Sequence, residues 1–147
     1  MSKVAVVGFG RIGRSTVKAG LSSKLFTPSV IVDIVGADAM APLFEFDTNY
    51  GRWRDPVSAE ADGLVIGDAT IGWIDARESA PDWKALGVDL VLDCTGRATT
   101  RAGAQAHLDA GANRVLISAP SKTLDDCDAV LLPASIWSPT TRASTAS

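Results

Sequence analysis

An α/β fold built on a doubly wound, mainly parallel sheet is what this chain predicts, and three observations carry the prediction. Solid apolar runs recur along the 147 residues: Val4–Val7, Val30–Val35, and the stretches VDLVLDC and NRVLISAP. Runs without polar alternation are the mark of strands covered on both faces. Segments of helical spacing lie between them, the order expected of right-handed βαβ units. Three glycines, Gly8, Gly10 and Gly13, stand where the first strand should hand over to the first helix.

Taken in order, Val4–Val7 is a short buried strand that stops at Gly8. Arg11 to about Leu21 is a helix with Ile12, Val17 and Leu21 on one side. Val30–Val35 is the next strand, rich in β-branched residues. ADAMAPLFEF is a short helical segment that Pro42 should limit to a start near itself. Trp53–Ile74 holds short strand-like pieces separated by Asp62-Gly63 and Gly67-Asp68, so a small antiparallel excursion is expected there. PDWKALG is a helix of one or two turns from Pro81 to Gly87. VDLVLDC is the third buried strand, and TTRAGAQAHLDAG is a helix stopped by Gly111. NRVLISAP is the fourth strand and DAVLLP a fifth.

The composition narrows the function class. The chain is 46% hydrophobic and 21% charged, as globular proteins are. A net charge of −3 argues against a nucleic-acid partner, which would favour a basic face. No apolar run approaches the roughly 20 residues that span a bilayer, so no membrane role is expected. The two cysteines, Cys94 and Cys127, form no CxxC pair, and His107 is the single histidine. A zinc site or multi-histidine metal site is thereby disfavoured, and a cytoplasmic setting is the expectation.

The glycine triplet has the spacing GxGxxG. Gly8 makes the tight turn, Gly10 lets backbone approach a pyrophosphate, and Gly13 lets helix and strand pack closely. Amide hydrogens near Arg11 and Ile12 then face the anion, with the helix dipole behind them. A chance loop meets the same spacing, so context decides. The motif follows a strand and opens a helix, and Asp33 ends the second strand about 20 residues past the last glycine. A carboxylate there accepts hydrogen bonds from the ribose hydroxyls of NAD and repels the 2′-phosphate of NADP. The alternative for Asp33 is a solvated strand-end residue. These features lead to the expectation of a Rossmann-type domain with NAD as cofactor.

KVAVVGFGRIGR, FDTNYGRW, DCTGRATT and ISAPSK, in this order, resemble the NAD-binding domain of phosphorylating glyceraldehyde-3-phosphate dehydrogenase, with erythrose-4-phosphate dehydrogenase a close relative. The resemblance covers residues 3 to about 133. It implies that Arg11 and Ile12 supply backbone donors to the pyrophosphate and that Asp33 binds the adenosine ribose. It implies that Arg77 lies near the adenine, the alternative being an exposed ion-pairing arginine. It implies that Thr95 and Gly96 lie beside the cofactor and Ser118 near the nicotinamide, the alternative being local capping of strand ends. At Val7 the chain departs from the family, which usually carries there an asparagine that helps fix the loop.

The family's chemistry is thiolate attack on an aldehyde, hydride transfer to NAD and phosphorolysis. It uses a Ser-Cys-Thr-Thr-Asn stretch and a later histidine base, and this sequence has no such stretch. Cys94 falls in an expected buried strand, Cys127 follows two acids that oppose a thiolate, and His107 sits mid-helix in a surface or packing role. No catalytic residue is therefore assigned. The expected organisation is a dinucleotide-binding domain over residues 1–133 and an unrelated tail over 134–147, rich in Ser, Thr, Ala and Pro as disordered ends are. Codons for Pro133 to Arg142 can be chosen so that a reading two nucleotides later spells Gly-Ile-Asn-Leu-Glu-Ser-Tyr-Asp-Pro, the family's usual continuation. A frameshift that truncates a dehydrogenase is one expectation, and a low-complexity tail is the other. The resulting picture is an NAD-binding half of an oxidoreductase that is inactive alone. The rival is a stand-alone nucleotide-binding or regulatory module. Self-association or pairing with full-length subunits is expected to cover apolar surface.

Overall fold

The computed structural model describes residues 2–78 and 80–131. The strands and helices follow as β1 (Val4–Val7), α1 (Arg11–Ser23), β2 (Val30–Asp33), α2 (Ala37–Glu45), β3 (Phe46–Asp47), β4 (Gly51–Arg52), β5 (Val57–Glu60), β6 (Gly63–Ile66), β7 (Ala69–Asp75), α3 (Trp83–Leu86), β8 (Leu90–Asp93), α4 (Arg101–Asp109) and β9 (Arg114–Ile117). A short 3₁₀ turn, Leu124–Asp126, follows. Seven strands form one sheet in the order β5-β6-β7-β2-β1-β8-β9. β7, β2, β1, β8 and β9 run parallel, while β5, β6 and β7 form the expected antiparallel excursion. The chain leaves β1 toward β2 on one side and later returns to place β8 on the other, so the order reverses between β1 and β8. Ligands of such sheets bind beyond the carboxyl ends of the strands at that reversal.

Alternation along β1 sorts the core into two layers. Val4 and Val6 join Val17 of α1, Met40 and Phe44 of α2, and Ile31, Leu64 and Ile71 on one face. Ala5 joins Val32, Trp83, Val88 and Val91 on the other. Phe9, fully buried, stacks on Phe44 at 5.8 Å and meets Trp73 edge-on at 5.4 Å. The glycine turn is thus pinned into the first layer by its own aromatic residue.

Several boundaries differ from expectation, each for a local reason. Ile12 is 54% exposed, and Gly13, Val17 and Gly20 form the packed side of α1. Val17 lies five positions after Ile12, an offset that turns Ile12 well away from the face of Val17. β2 stops at Asp33 because the Asp33 carboxylate takes the Val35 amide at 2.9 Å and turns the chain. α2 begins at Ala37, five residues before Pro42. The bond that Pro42 removes would have gone to the carbonyl of Asp38, and both residues are exposed, so the loss falls on the solvent side while Met40, Ala41 and Phe44 bury the other side. The third helix starts at Trp83, with Pro81 outside it, because the Asp82 carboxylate caps it by accepting the Ala85 amide at 2.9 Å. A two-strand ladder, β3 with β4, was not foreseen; Asp47 closes its turn by accepting the Asn49 and Tyr50 amides. The described part of DAVLLP, Asp128–Leu131, is not a strand. Asp128 is bonded to the Arg101 guanidinium at the start of α4, at 3.0 Å. The tail over 134–147 lies outside the described residues.

Candidate functional site

The sequence-predicted residues lie at the carboxyl ends of β7, β2, β1, β8 and β9. Gly8 has φ +84, the left-handed region that glycine enters without strain, and its amide donates to the Val32 carbonyl at 2.8 Å. A Cβ on Gly13 would overlap the Gly8 carbonyl oxygen, so this position holds the first turn of α1 directly on the strand. A Cβ on Gly10 would meet nothing within 4 Å, so the turn is open on the side away from the core. No side chain caps the first turn of α1, and no acid lies in it. The amides of Arg11 and Ile12 are therefore offered to an outside acceptor, in the positive field of a 13-residue helix. These features fit a diphosphate.

Asp33 stands next to this turn. Its Oδ2 accepts the Phe9 amide at 2.6 Å and its Oδ1 accepts the Val35 amide at 2.9 Å. A carboxylate has about four acceptor positions, so these two bonds leave room for two hydroxyl donors. The Asp33 bond also fixes the loop that the family's asparagine usually helps to hold; here Val7 occupies that position, half-buried. A residue that sequence reasoning missed adds to the same end: Arg14 donates from Nη1 to the Phe9 carbonyl at 3.1 Å, while its Nε is buried with no partner. The second arginine of GRIGR was its only sequence signal.

Arg77 follows β7, whose last residue, Asp75, is in register with Asp33. Asp75 takes a forked set of bonds from the Arg77 guanidinium and one from its amide, which hold the Asp75 carboxyl down at about 2. Arg77 is thus an exposed, ion-paired arginine that also stands beside the strand carrying Asp33. Gly96 carries φ +71 with open space around it. Thr95 donates its amide (2.9 Å) and its hydroxyl (2.6 Å) to Asp93 Oδ1, and its methyl group packs on Gly8. Ser118 donates its amide to the Asp93 carbonyl at 2.9 Å.

Asp93 is the second residue that sequence reasoning missed. It is 2% exposed, an acid at the end of an otherwise apolar strand, and that contrast was its signal. Burial pushes its carboxyl up, but bonds from His107 and Thr95 outweigh burial and hold it below the usual carboxylate range. A lowered value in the folded state contributes stability above the ordinary carboxylate range, and this is lost as the pH falls through the folded value. The thermal midpoint of the chain should therefore drop below about pH 4, and Asp93→Asn should drop less steeply from a lower start. Melting curves between pH 6 and pH 3 check this; an equally steep fall in the variant would take Asp93 out of the acid-linked set.

The cysteines do not enter this cluster as nucleophiles. Cys94 lies just past β8, half-buried, with its thiol pushed up by burial. Cys127 lies 3.4 Å from the Ser121 hydroxyl near the 3₁₀ turn. A separate concavity of about 440 Å³, lined by Ser15, Lys18, Tyr50, Arg52 and Trp53, contains none of the residues named for the cofactor. No described helix is long and apolar enough to cross a membrane, and no described group of three His, Cys, Asp or Glu is placed to hold a metal.

Comparison with known proteins gives one consistent result. Residues 2–101 match the family model described as glyceraldehyde 3-phosphate dehydrogenase, NAD binding domain. The chain is 44% identical over 123 residues to glyceraldehyde-3-phosphate dehydrogenase of Chlamydia pneumoniae, covering 82% of this chain and 36% of the relative. It is 42% identical over 127 residues to the enzyme of that name from Kitasatospora aureofaciens, covering 85% and 38%. It is 40% identical over 125 residues to glyceraldehyde-3-phosphate dehydrogenase 1 of Kluyveromyces lactis, covering 84% and 38%. The chain spans little more than a third of the length of these curated relatives.

Proposed function

The chain belongs to the family of glyceraldehyde 3-phosphate dehydrogenase NAD-binding domains, and from that premise we propose that it supplies the NAD site of a phosphorylating aldehyde dehydrogenase. NAD is the cofactor of this domain family. In the proposed site the diphosphate rests on the Arg11 and Ile12 amides, over the open face of Gly10. Gly8 and Gly13 hold strand and helix together beneath it. Asp33 accepts the two adenosine ribose hydroxyls. Arg77 lies along the adenine, Thr95 and Gly96 flank the cofactor's middle, and Ser118 faces the nicotinamide. The bound cofactor would accept a hydride from a thiohemiacetal; this chain's residues bind and orient it.

The observation that carries the reading is the 2.6 Å bond from the Phe9 amide to Asp33, which brings the acid and the glycine turn to one place. The 2′-phosphate of NADP would meet the Asp33 carboxylate, so NAD is the preferred dinucleotide. Calorimetric titration with NAD and NADP, run beside an assay with aldehyde, NAD and phosphate, tests the proposal. NAD should bind more tightly than NADP, and the chain alone should show no turnover, because nothing assigned here holds an aldehyde against the nicotinamide. Equal affinity for the two dinucleotides would overturn the ribose assignment.

Arg77 contributes at the margin. Its charge is largely committed to Asp75, so Arg77→Ala should weaken NAD by about two- to fivefold. An unchanged affinity would leave Arg77 with its ion pair alone.

One observation favours a second reading, a nucleotide-binding module without chemistry of its own. The thiol nearest the site, Cys94, is pushed away from ionisation by burial. Under either reading the chain associates with itself or with longer homologous subunits. Leu116, Val130 and Leu131 support this, at 41, 54 and 71% exposure. Sedimentation at several concentrations separates a monomer from an assembly.

A further inference from the structure

One chain of hydrogen bonds, anchored at the buried side chains of Trp83 and Asp93, leads away from the proposed NAD site. Trp83, fully buried in α3, approaches Nδ1 of His107 with Nε1 at 3.2 Å. Nε2 of His107 lies 3.0 Å from Oδ2 of Asp93. Indole nitrogen only donates, so Nδ1 must be the accepting, unprotonated nitrogen. The single proton of a neutral imidazole is then on Nε2, where it donates to Asp93. Oδ1 of the same carboxylate takes both bonds from Thr95. Thr95 Oγ1 in turn accepts the Arg97 amide at 3.1 Å, and the Asp93 carbonyl accepts the Ser118 amide. Every loop after β8 and β9 that is assigned to the cofactor therefore hangs from Asp93.

We propose that Trp83 and His107 are positioning residues for the dinucleotide: the Trp83 indole on one side and the Asp93 carboxylate on the other fix the Nε2–H form of His107, and that form holds Asp93 so that Thr95 and Gly96 meet the cofactor. Neither residue touches the ligand. The proposal rests on the NAD-binding reading for its effect on affinity, but the proton arrangement stands independently of it.

Two features make the arrangement directional. Trp83 and Asp93 are 0 and 2% exposed, so water cannot substitute at either end. α4 has no buried residue, and the His107–Asp93 bond is a side-chain tie between it and β8. A histidine with its proton on Nδ1 would set two donors against each other at Trp83 and leave Asp93 without a partner on Oδ2.

His107 is the only histidine of the chain, so nitrogen-15 spectra of the labelled full chain report it without ambiguity. The expected spectrum shows a protonated Nε2 and an unprotonated Nδ1; the opposite form, or a rapid mixture of both, overturns the proposal. Trp83→Phe removes the donor at Nδ1 while Asp93 still takes the Nε2 proton, so the variant should keep a protonated Nε2 and shift its Nδ1 signal; a proton found on Nδ1 would overturn the proposal. His107→Phe keeps a ring but no nitrogen, and should weaken NAD by about tenfold, the effect of roughly one lost hydrogen bond. His107→Gln places an acceptor toward Trp83 and a donor toward Asp93, and should return affinity to within about twofold of the parent chain. If His107→Phe lowers the melting temperature but leaves NAD affinity unchanged, the residue is structural only and the proposal fails. If glutamine does not rescue, the bond pattern is not the cause and it fails likewise. If the parent chain does not bind NAD while its histidine shows the Nε2–H form, the reading of the site is at fault and the proton arrangement stands.

Discussion

Gly13→Ala should cost the fold about 3 kcal/mol and lower its melting temperature by about 10 °C. Two effects oppose each other at this position. Alanine is favoured over glycine inside a helix by about 1 kcal/mol. Against that, the new methyl would overlap the Gly8 carbonyl oxygen and come within 3.0 Å of the carbonyl carbon. Both are backbone atoms of a turn whose flanks are bonded to β2, so α1 has to move off the sheet as a unit. The overlap therefore wins. Gly10→Ala is the control, because its methyl group would enter open space. It should melt near the parent chain while binding NAD less well. Thermal melts of the two variants side by side check the argument; equal losses would mean that the glycines are not specialised as described.

Asp33→Ala should weaken NAD by about a hundredfold, the loss of two hydrogen bonds from hydroxyls to a charged acceptor. It should also reduce the preference for NAD over NADP, because the carboxylate that faces the 2′ position is gone. The second readout is needed, since the same substitution releases the Phe9 amide and loosens the turn. A turn that merely loosens would weaken both dinucleotides alike. Only an acid at the ribose predicts that the ratio between them changes. Titration of parent and variant with both ligands gives that ratio, and an unchanged ratio would return Asp33 to a purely structural role at the end of β2.

The sequence made the parallel half of the fold legible because its strands are buried on both faces and read as unbroken apolar runs. β1, β8 and β9 lie where those runs lie, and Gly111 follows the helix it was expected to stop. The glycine spacing and the distance to Asp33 also placed the proposed diphosphate and ribose positions side by side. What escaped was decided by partners far away in the chain or by water. Proline suits a helix start, so Pro42 points to one near itself, yet the bond it removes falls on the exposed Asp38 and the helix begins at Ala37. Ile12 was assigned to the packed face on hydrophobicity, where the contact needed a residue with no side chain. His107 meets Asp93 across 14 positions and Trp83 across 24, separations that carry no periodic signal. DAVLLP reads as a strand from its apolar run alone, but its described residues, 128–131, pair with no strand.

The central claim is that a dinucleotide lies across the β1–β8 reversal, diphosphate on the Arg11 and Ile12 amides and ribose on Asp33. Titration of the nitrogen-15-labelled chain with NAD, followed residue by residue through its amide signals, addresses it directly. The largest shifts should fall on Gly10, Arg11 and Ile12, with the amides of Phe9 and Val35 moving as Asp33 takes up the sugar. Shifts confined to the concavity between Ser15, Tyr50 and Trp53, or to no residues at all, would contradict it.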